Sequence, residues 1–103
     1  MSDDGFVAVL VIELHFPEAG SLKAKRKELS SIKAALRQRL GLTVAETGHQ
    51  DLWQRATLTA AITGGSLRRL AAAADEAERW ILARCPEGAR VERLVASVKD
   101  LRG

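Results

Sequence analysis

A chain of 103 residues with 47% hydrophobic content is the size of one domain with a single core, spanning residues 1–103, and leaves no room for a second. Its longest apolar run, Phe6 to Ile12, is broken at Glu13 and falls far short of the roughly 20 residues that a spanning helix needs, so no membrane partner is expected. The net charge of +3 is too small by itself to mark a nucleic-acid binder, and the single cysteine, Cys85, excludes an internal disulfide.

Asp3 and Asp4 stand where a secretory signal carries Lys or Arg, and no small-residue cleavage site follows them, so the reading is cytoplasmic. Phe6 to His15, rich in Val and Ile, predicts a central strand that Pro17, Glu18 and Gly20 end. Ser21 is placed to cap a helix reaching Leu40, in which Leu22, Leu29, Ile32, Leu36 and Leu40 share one stripe, and Gly41 stops it. Leu42 to Thr47 predicts a short second strand, Gly48 to Asp51 a turn, and Leu52 to Thr63 a third strand, together a hairpin. Ser66 then caps a second helix with Leu67, Leu70, Ala74, Ala77 and Ile81 on its buried stripe, ended by Pro86, Glu87 and Gly88. Arg90 to Val98 supplies the last strand before a polar tail.

The order βαββαβ predicts an α+β, ferredoxin-like sandwich. Right-handed crossovers place the antiparallel strands in the order 4-1-3-2 with both helices on one face. That topology gathers the end of the first strand, the start of the first helix, the hairpin turn and the end of the second helix at one edge. The runs Ser21-Leu22-Lys23-Ala24-Lys25-Arg26-Lys27 and Ala45-Glu46-Thr47-Gly48-His49-Gln50-Asp51-Leu52-Trp53-Gln54-Arg55-Ala56 both fall there.

These two runs resemble the YlxP-like family of small bacterial proteins, and the resemblance extends over nearly the whole chain. Gly48 stands where an acidic residue is expected. The resemblance implies a ferredoxin-like fold, no established enzymatic activity, and genes that often lie beside those for translation initiation and ribosome maturation.

Charge is distributed unevenly. Between Ser21 and Leu40, the cations Lys23, Lys25, Arg26, Lys27, Lys33, Arg37 and Arg39 face Glu28 alone, which leaves that segment at +6 and, given the total, the rest of the chain at −3. At 100° per residue from Leu29, Lys33, Arg26, Arg37, Lys23 and Lys27 fall at roughly 40° to 160°, on one flank beside the apolar stripe. Lys23, Lys25 and Arg26 also set cations in a first turn, which the helix dipole disfavours unless an anion compensates. The candidate nucleic-acid or anion-binding set is therefore Lys23, Lys25, Arg26, Lys27, Lys33 and Arg37, with His49, Gln50, Asp51, Trp53 and Arg55 as an adjoining surface motif.

The blander readings differ at each point. Glu13, Glu18 or Asp51 would pair with the helix cations, and His49 and Asp51 would satisfy backbone groups of the turn. Glu13, His15, Glu46, His49 and Asp51 have neither the spacing of a metal set nor a paired cysteine or histidine, so no metal and no cofactor is expected. No nucleophile elbow or glycine-rich phosphate loop supports catalysis, and a catalytic set is not expected. Cys85 reads as packing. Strand alternation puts Trp53 with Val7, Val9, Val11, Val91 and Val95 on the open sheet face, which predicts a homodimer through that face. The leading expectation is a non-catalytic protein bound to ribosomal RNA or the ribosome. The alternative is a module for a small anionic ligand or a protein partner at the same edge.

Overall fold

β-Branched residues fit a pleated strand buried on both sides, and the Val- and Ile-rich segment β1 (Phe6–His15) is the central strand of the sheet. The computed structural model describes residues 5–86 and 88–103. Asp3, Asp4 and Glu87, read above as an unsignal-like start and a helix stop, lie outside the described residues. After β1 come α1 (Leu22–Gln38), β2 (Thr43–Gly48), β3 (Arg55–Gly64), α2 (Leu67–Arg84), β4 (Ala89–Ser97) and α3 (Val98–Arg102). The four strands form one antiparallel sheet in the order β2-β3-β1-β4. This is the expected ferredoxin-like α+β arrangement. No helix among the described residues is long and apolar enough to cross a membrane.

Both long helices start as the sequence predicts. Ser21 accepts the N–H of Ala24 at 3.1 Å and Ser66 accepts that of Arg69 at 3.4 Å, each satisfying one orphan donor of a first turn. Gly41, at φ 71°, ends α1, with Leu42 donating back to the Leu36 carbonyl at 3.0 Å. The core is one layer between the helices and one sheet face. Ala8, Leu10, Ile12 and Leu14 of β1, Ala56, Leu58 and Ala60 of β3, and Val44 of β2 meet Leu29, Ile32 and Leu36 of α1 and Leu70, Ala74, Ala77 and Ile81 of α2. Truncating any of the large aliphatics to Ala costs about 2–5 kcal/mol.

Register corrects several expectations. β3 begins at Arg55, so Trp53 and Leu52 stand in the connection ahead of it rather than on the sheet. In β4, Val91 pairs with Ile12 and Val95 with Ala8, which puts both on the helix face. Leu94, opposite Val9, and Ala96, opposite Val7, take their place on the open face. The cause is Arg93, whose side chain lies on the helix face and is met by two carboxylates of α2. It donates to Asp75 at 2.7 Å and also to Glu78. A neutralised arginine sits inward, and the alternation that seemed to bury Leu94 and Ala96 inverts. On α2, Leu67 is exposed although the rest of its stripe is buried.

The expected polar tail is instead a short helix, α3, closed by a capping box. Ser97 Oγ accepts the Asp100 N–H at 2.9 Å, and Asp100 Oδ2 accepts the Ser97 N–H at 3.0 Å. The Ser97 hydrogen bonds hold the Asp100 carboxyl below its ordinary value. A carboxyl depressed in the folded state contributes order above the ordinary carboxylate pKa of about 3.9 and loses it as pH falls through the folded value. Residues 98–102 should therefore keep helical backbone chemical shifts at neutral pH and lose them in acid, and Asp100→Asn should show weakened helical shifts already at pH 7. Helical shifts unchanged down to pH 2 would contradict this account.

Candidate functional site

Three connections meet at the end of the sheet where β1 stops. His15 donates its N–H to the Gly88 carbonyl at 2.7 Å, bringing in the end of α2, and Phe16 donates to the Gln54 carbonyl at 2.7 Å, bringing in the β2–β3 connection. Gly88 has to be glycine, since a Cβ there would lie 2.5 Å from the His15 carbonyl oxygen. Arg84 of α2 reaches Glu28 of α1 at 2.7 Å. The edge inferred from topology thus exists, and each of its segments is tied to another.

Lys25 is its central tie. The side chain is buried, with 1% of its surface exposed, and its Nζ donates to the carbonyls of His49 and Leu52, both at 2.6 Å. His49 adopts φ 60°, the left-handed region. Its carbonyl serves twice, accepting the Leu52 N–H at 3.2 Å as well as the ammonium. Lys25 accordingly leaves the candidate anion-binding set and is a structural donor holding the loop against α1. The signal was available in the helical angles. At 100° per residue, Lys25 falls at about −40° from Leu29, between Leu36 and Ile32, in the middle of the buried stripe.

Arg37 also has a structural partner, the carbonyl of Val44 on β2 at 2.7 Å. Lys23, Arg26 and Lys27 are exposed and Lys33 is half-buried. None of the four makes an ion pair with any described residue. Of the carboxylates expected to pair with them, Glu13 instead accepts the hydroxyl of Thr57 at 2.8 Å across the open face, and Glu18 and Asp51 make no ion pair with any described residue. Gly48 fits this arrangement, because a Cβ there would lie 3.0 Å from the Thr57 hydroxyl, and an acidic side chain would crowd the bond to Glu13. The cationic first turn is not peculiar to α1, since α2 opens with Arg68 and Arg69 and likewise has no acid there. α1 carries the longer such run, with Lys23, Arg26, Lys27 and Lys33 on one flank and no ion pair to any described residue.

Of the surface motif, Gln50, Asp51, Trp53 and Arg55 are exposed and His49 is half-buried. Their side chains form no hydrogen bonds with one another, so His49 is not oriented as a base by Asp51. Trp53 is 53% exposed and follows directly on Leu52, whose backbone carbonyl Lys25 of α1 holds. Glu13, His15, Glu46, His49 and Asp51 do not converge. Among the described residues no three imidazole, thiol or carboxylate groups come together as a metal set.

A groove of about 660 Å³ opens between the β1–α1 connection and the end of α2, lined by His15, Phe16, Glu18, Lys27, Glu28 and Cys85 among others. Cys85 is half-buried against the core, and burial pushes its thiol up, with Arg84 offsetting part of the rise and Glu28 adding to it. That is the environment of a packing cysteine rather than a thiolate.

Removing the ammonium should loosen the loop and destabilise the fold. Lys25→Met keeps most of the volume but leaves two carbonyls without their donor, at a cost of about 1–3 kcal/mol, and Lys25→Ala adds a cavity term. Urea unfolding should therefore rank wild type above Lys25→Met above Lys25→Ala. A methionine variant as stable as wild type would show that the two hydrogen bonds contribute nothing.

Comparison with known proteins agrees with this architecture. The de novo designed protein Foldit4 superposes with a TM-score of 0.56 at 11% identity, covering 89% of this chain and 96% of that one, a likeness of fold alone. The uncharacterized protein YlxP of Bacillus subtilis (strain 168) is 37% identical over 49 residues, 48% of this chain and 53% of that protein. The matched stretch thus spans about half the length of that relative. A family model described as a protein of unknown function, DUF503, matches residues 7–99, and the chain belongs to that family.

Proposed function

We propose that the protein is a non-catalytic, cytoplasmic RNA-binding protein that engages single-stranded parts of ribosomal RNA, and that it works as a homodimer. The observation that carries the RNA reading is the exposed flank of α1. With Lys25 and Arg37 assigned to backbone carbonyls, Lys23, Arg26, Lys27 and Lys33 remain with no carboxylate among the described residues to neutralise them. Trp53, on the loop that Lys25 pins to the same helix, adds an exposed aromatic side chain to that edge. A positive track beside an exposed aromatic suits phosphates and a stacked base, and it is sequence-tolerant. The alternative of a small anion has less support. The nearby groove carries Glu18 and Glu28 as well as Lys27 and Arg84, and Glu28 already pairs with Arg84.

The dimer expected from the sequence rested on valines sharing the open face. With Val91 and Val95 on the other side, that face keeps Val7, Val9, Val11, Ala61, Leu94 and Ala96 and ends in Glu13, Arg55 and Arg90. The dimer stays in the proposal, and its surface is argued below.

Filter binding to ribosomal RNA at several salt concentrations tests the RNA reading. For single strands, each phosphate contact contributes about 0.7 to the slope of log affinity against log salt, so the Lys23→Gln, Arg26→Gln, Lys27→Gln triple variant should bind more weakly with a slope shallower by about 2. Trp53→Ala should lose about 1–3 kcal/mol at every salt concentration with the slope unchanged. Neither should lower the melting temperature, because neither removes a contact of the core. Equal binding and equal slope for triple variant and wild type would refute the phosphate contacts.

A further inference from the structure

The two edges of the sheet are built differently. β2 is six residues long, is interrupted by a register shift between Glu46 and Gly48, and has its Val44 carbonyl occupied by Arg37. Those are standard protections of an exposed edge. β4 has neither the break nor the occupied carbonyl, and its one inward charge, Arg93, is neutralised by Asp75 and Glu78 of its own chain. It runs nine residues, Ala89 to Ser97, in unbroken register with β1, and it carries no proline and no lysine.

Which backbone groups β4 leaves open follows from its pairing with β1. His15 bonds to Gly88 and Val98 bonds to Gly5, so the even-numbered residues from 88 to 98 direct their N–H and C=O toward β1. Ala89, Val91, Arg93, Val95 and Ser97 then direct theirs outward, along about 30 Å of edge.

Exposed apolar side chains gather at the same place. Leu94 is 50% and Val95 49% exposed, one on each face of the strand, and Val98 and Leu101 of α3 continue the patch beyond its end. On α2, Asp75 and Glu78 face β4 through Arg93, and Leu82, at the i, i+3, i+7 spacing from them, shares that flank with 48% of its surface exposed.

We propose that a second copy of this chain covers this edge, joining β4 to β4 in antiparallel fashion about a two-fold axis at Arg93 and making one eight-stranded sheet. The inference rests on the homodimer part of the preceding reading and names its surface. Arg93 is the midpoint of β4, so this register pairs every outward backbone group. It sets Val91 opposite the partner's Val95 on the helix face, and Leu94 and Ala96 opposite the aliphatic stems of the partner's Glu92 and Arg90 on the open face. The two Arg93 side chains face each other, but Asp75 and Glu78 of each copy supply more negative charge than the two arginines carry. The α2 flanks with Leu82 come side by side above the new strand pair and add exposed apolar surface to the strand pairing, toward the about 800 Å² per partner of a stable dimer.

Sedimentation equilibrium of the purified full chain and two variants tests this. Wild type should sediment at twice the 11.2 kDa of one chain. Val95→Pro removes an outward N–H that β1 does not use, so it should stay folded by circular dichroism and sediment as a monomer. Val9→Glu, on the open face, should remain a dimer. A dimeric Val95→Pro, or a monomeric Val9→Glu with dimeric Val95→Pro, would overturn the edge while leaving the dimer standing. A monomeric wild type at high micromolar concentration would overturn both. Should the proline variant fail to fold, a cross-link decides. In a Cys85→Ser background, Arg90→Cys with Ala96→Cys places thiols about 20 Å apart within one strand but opposite each other across the axis. Oxidation should give a covalent dimer with the double variant and none with either single one, and absence of that dimer would refute the register. RNA binding enters none of these readouts.

Discussion

The arrangement of the candidate site depends on one buried ammonium. Taking the Lys25 charge out of water costs several kcal/mol, and no carboxylate among the described residues answers it. The two carbonyls at 2.6 Å offset much of that cost through charge-assisted bonds of about 1.5–3 kcal/mol each. The net contribution to stability is therefore modest, and what the interaction supplies is geometry. A loop of exposed polar residues has many near-equal conformations. This one has its His49 and Leu52 carbonyls turned onto a fixed cation, and its far end is held by Phe16 on the Gln54 carbonyl. Trp53 stands between those two attachments.

A second partnered cation, the partly exposed Arg93, does the same for β4. Its side chain takes a position on the helix face that alternation alone would give to an apolar residue, and α2 meets it with Asp75 and Glu78. The consequence reaches across the strand. With the odd-numbered residues inward, Leu94 and Ala96 must face the open side, where they lie against Val9 and Val7.

These two cations also mark the limit of what the sequence makes legible. β1 and both long helices follow from periodicity and caps, because long segments average out single departures. The strand order follows from connection rules that need only the element sequence. β4 mixes apolar and charged residues on both faces, so a one-residue choice of phase is undetermined until the α2 carboxylates are placed, and Val91 and Val95 fall on the face opposite to that expected. Lys25 is the reverse case. Its angle on α1 already lay within the buried stripe, and counting it by charge rather than by face assigned it to solvent. The α3 capping box, Ser97 with Asp100, was readable as a helix start, but five residues give no periodicity to confirm one. Trp53 was misplaced because Leu52 to Gln54 extends the alternation of β3 backward, through residues that the Lys25 bonds hold off the sheet.

The edge treatment of the sheet and the position of the basic flank are linked through α1. Arg37 donates to β2, so α1 lies over the protected edge, and Lys23 and Arg26, which make no ion pair with any described residue, share the flank of Arg37. β4, with its open backbone groups, is on the other side, separated by β1 and β3. Self-association through β4 would therefore leave both basic flanks uncovered and point them away from each other. With strands spaced about 4.8 Å, an eight-stranded sheet puts its outer strands roughly 35 Å apart. On the RNA reading, simultaneous contact with both flanks would need an RNA at least that broad. If both proposals hold, the spacing of the two sites would favour a long or folded RNA over a very short oligonucleotide without any base-specific contact.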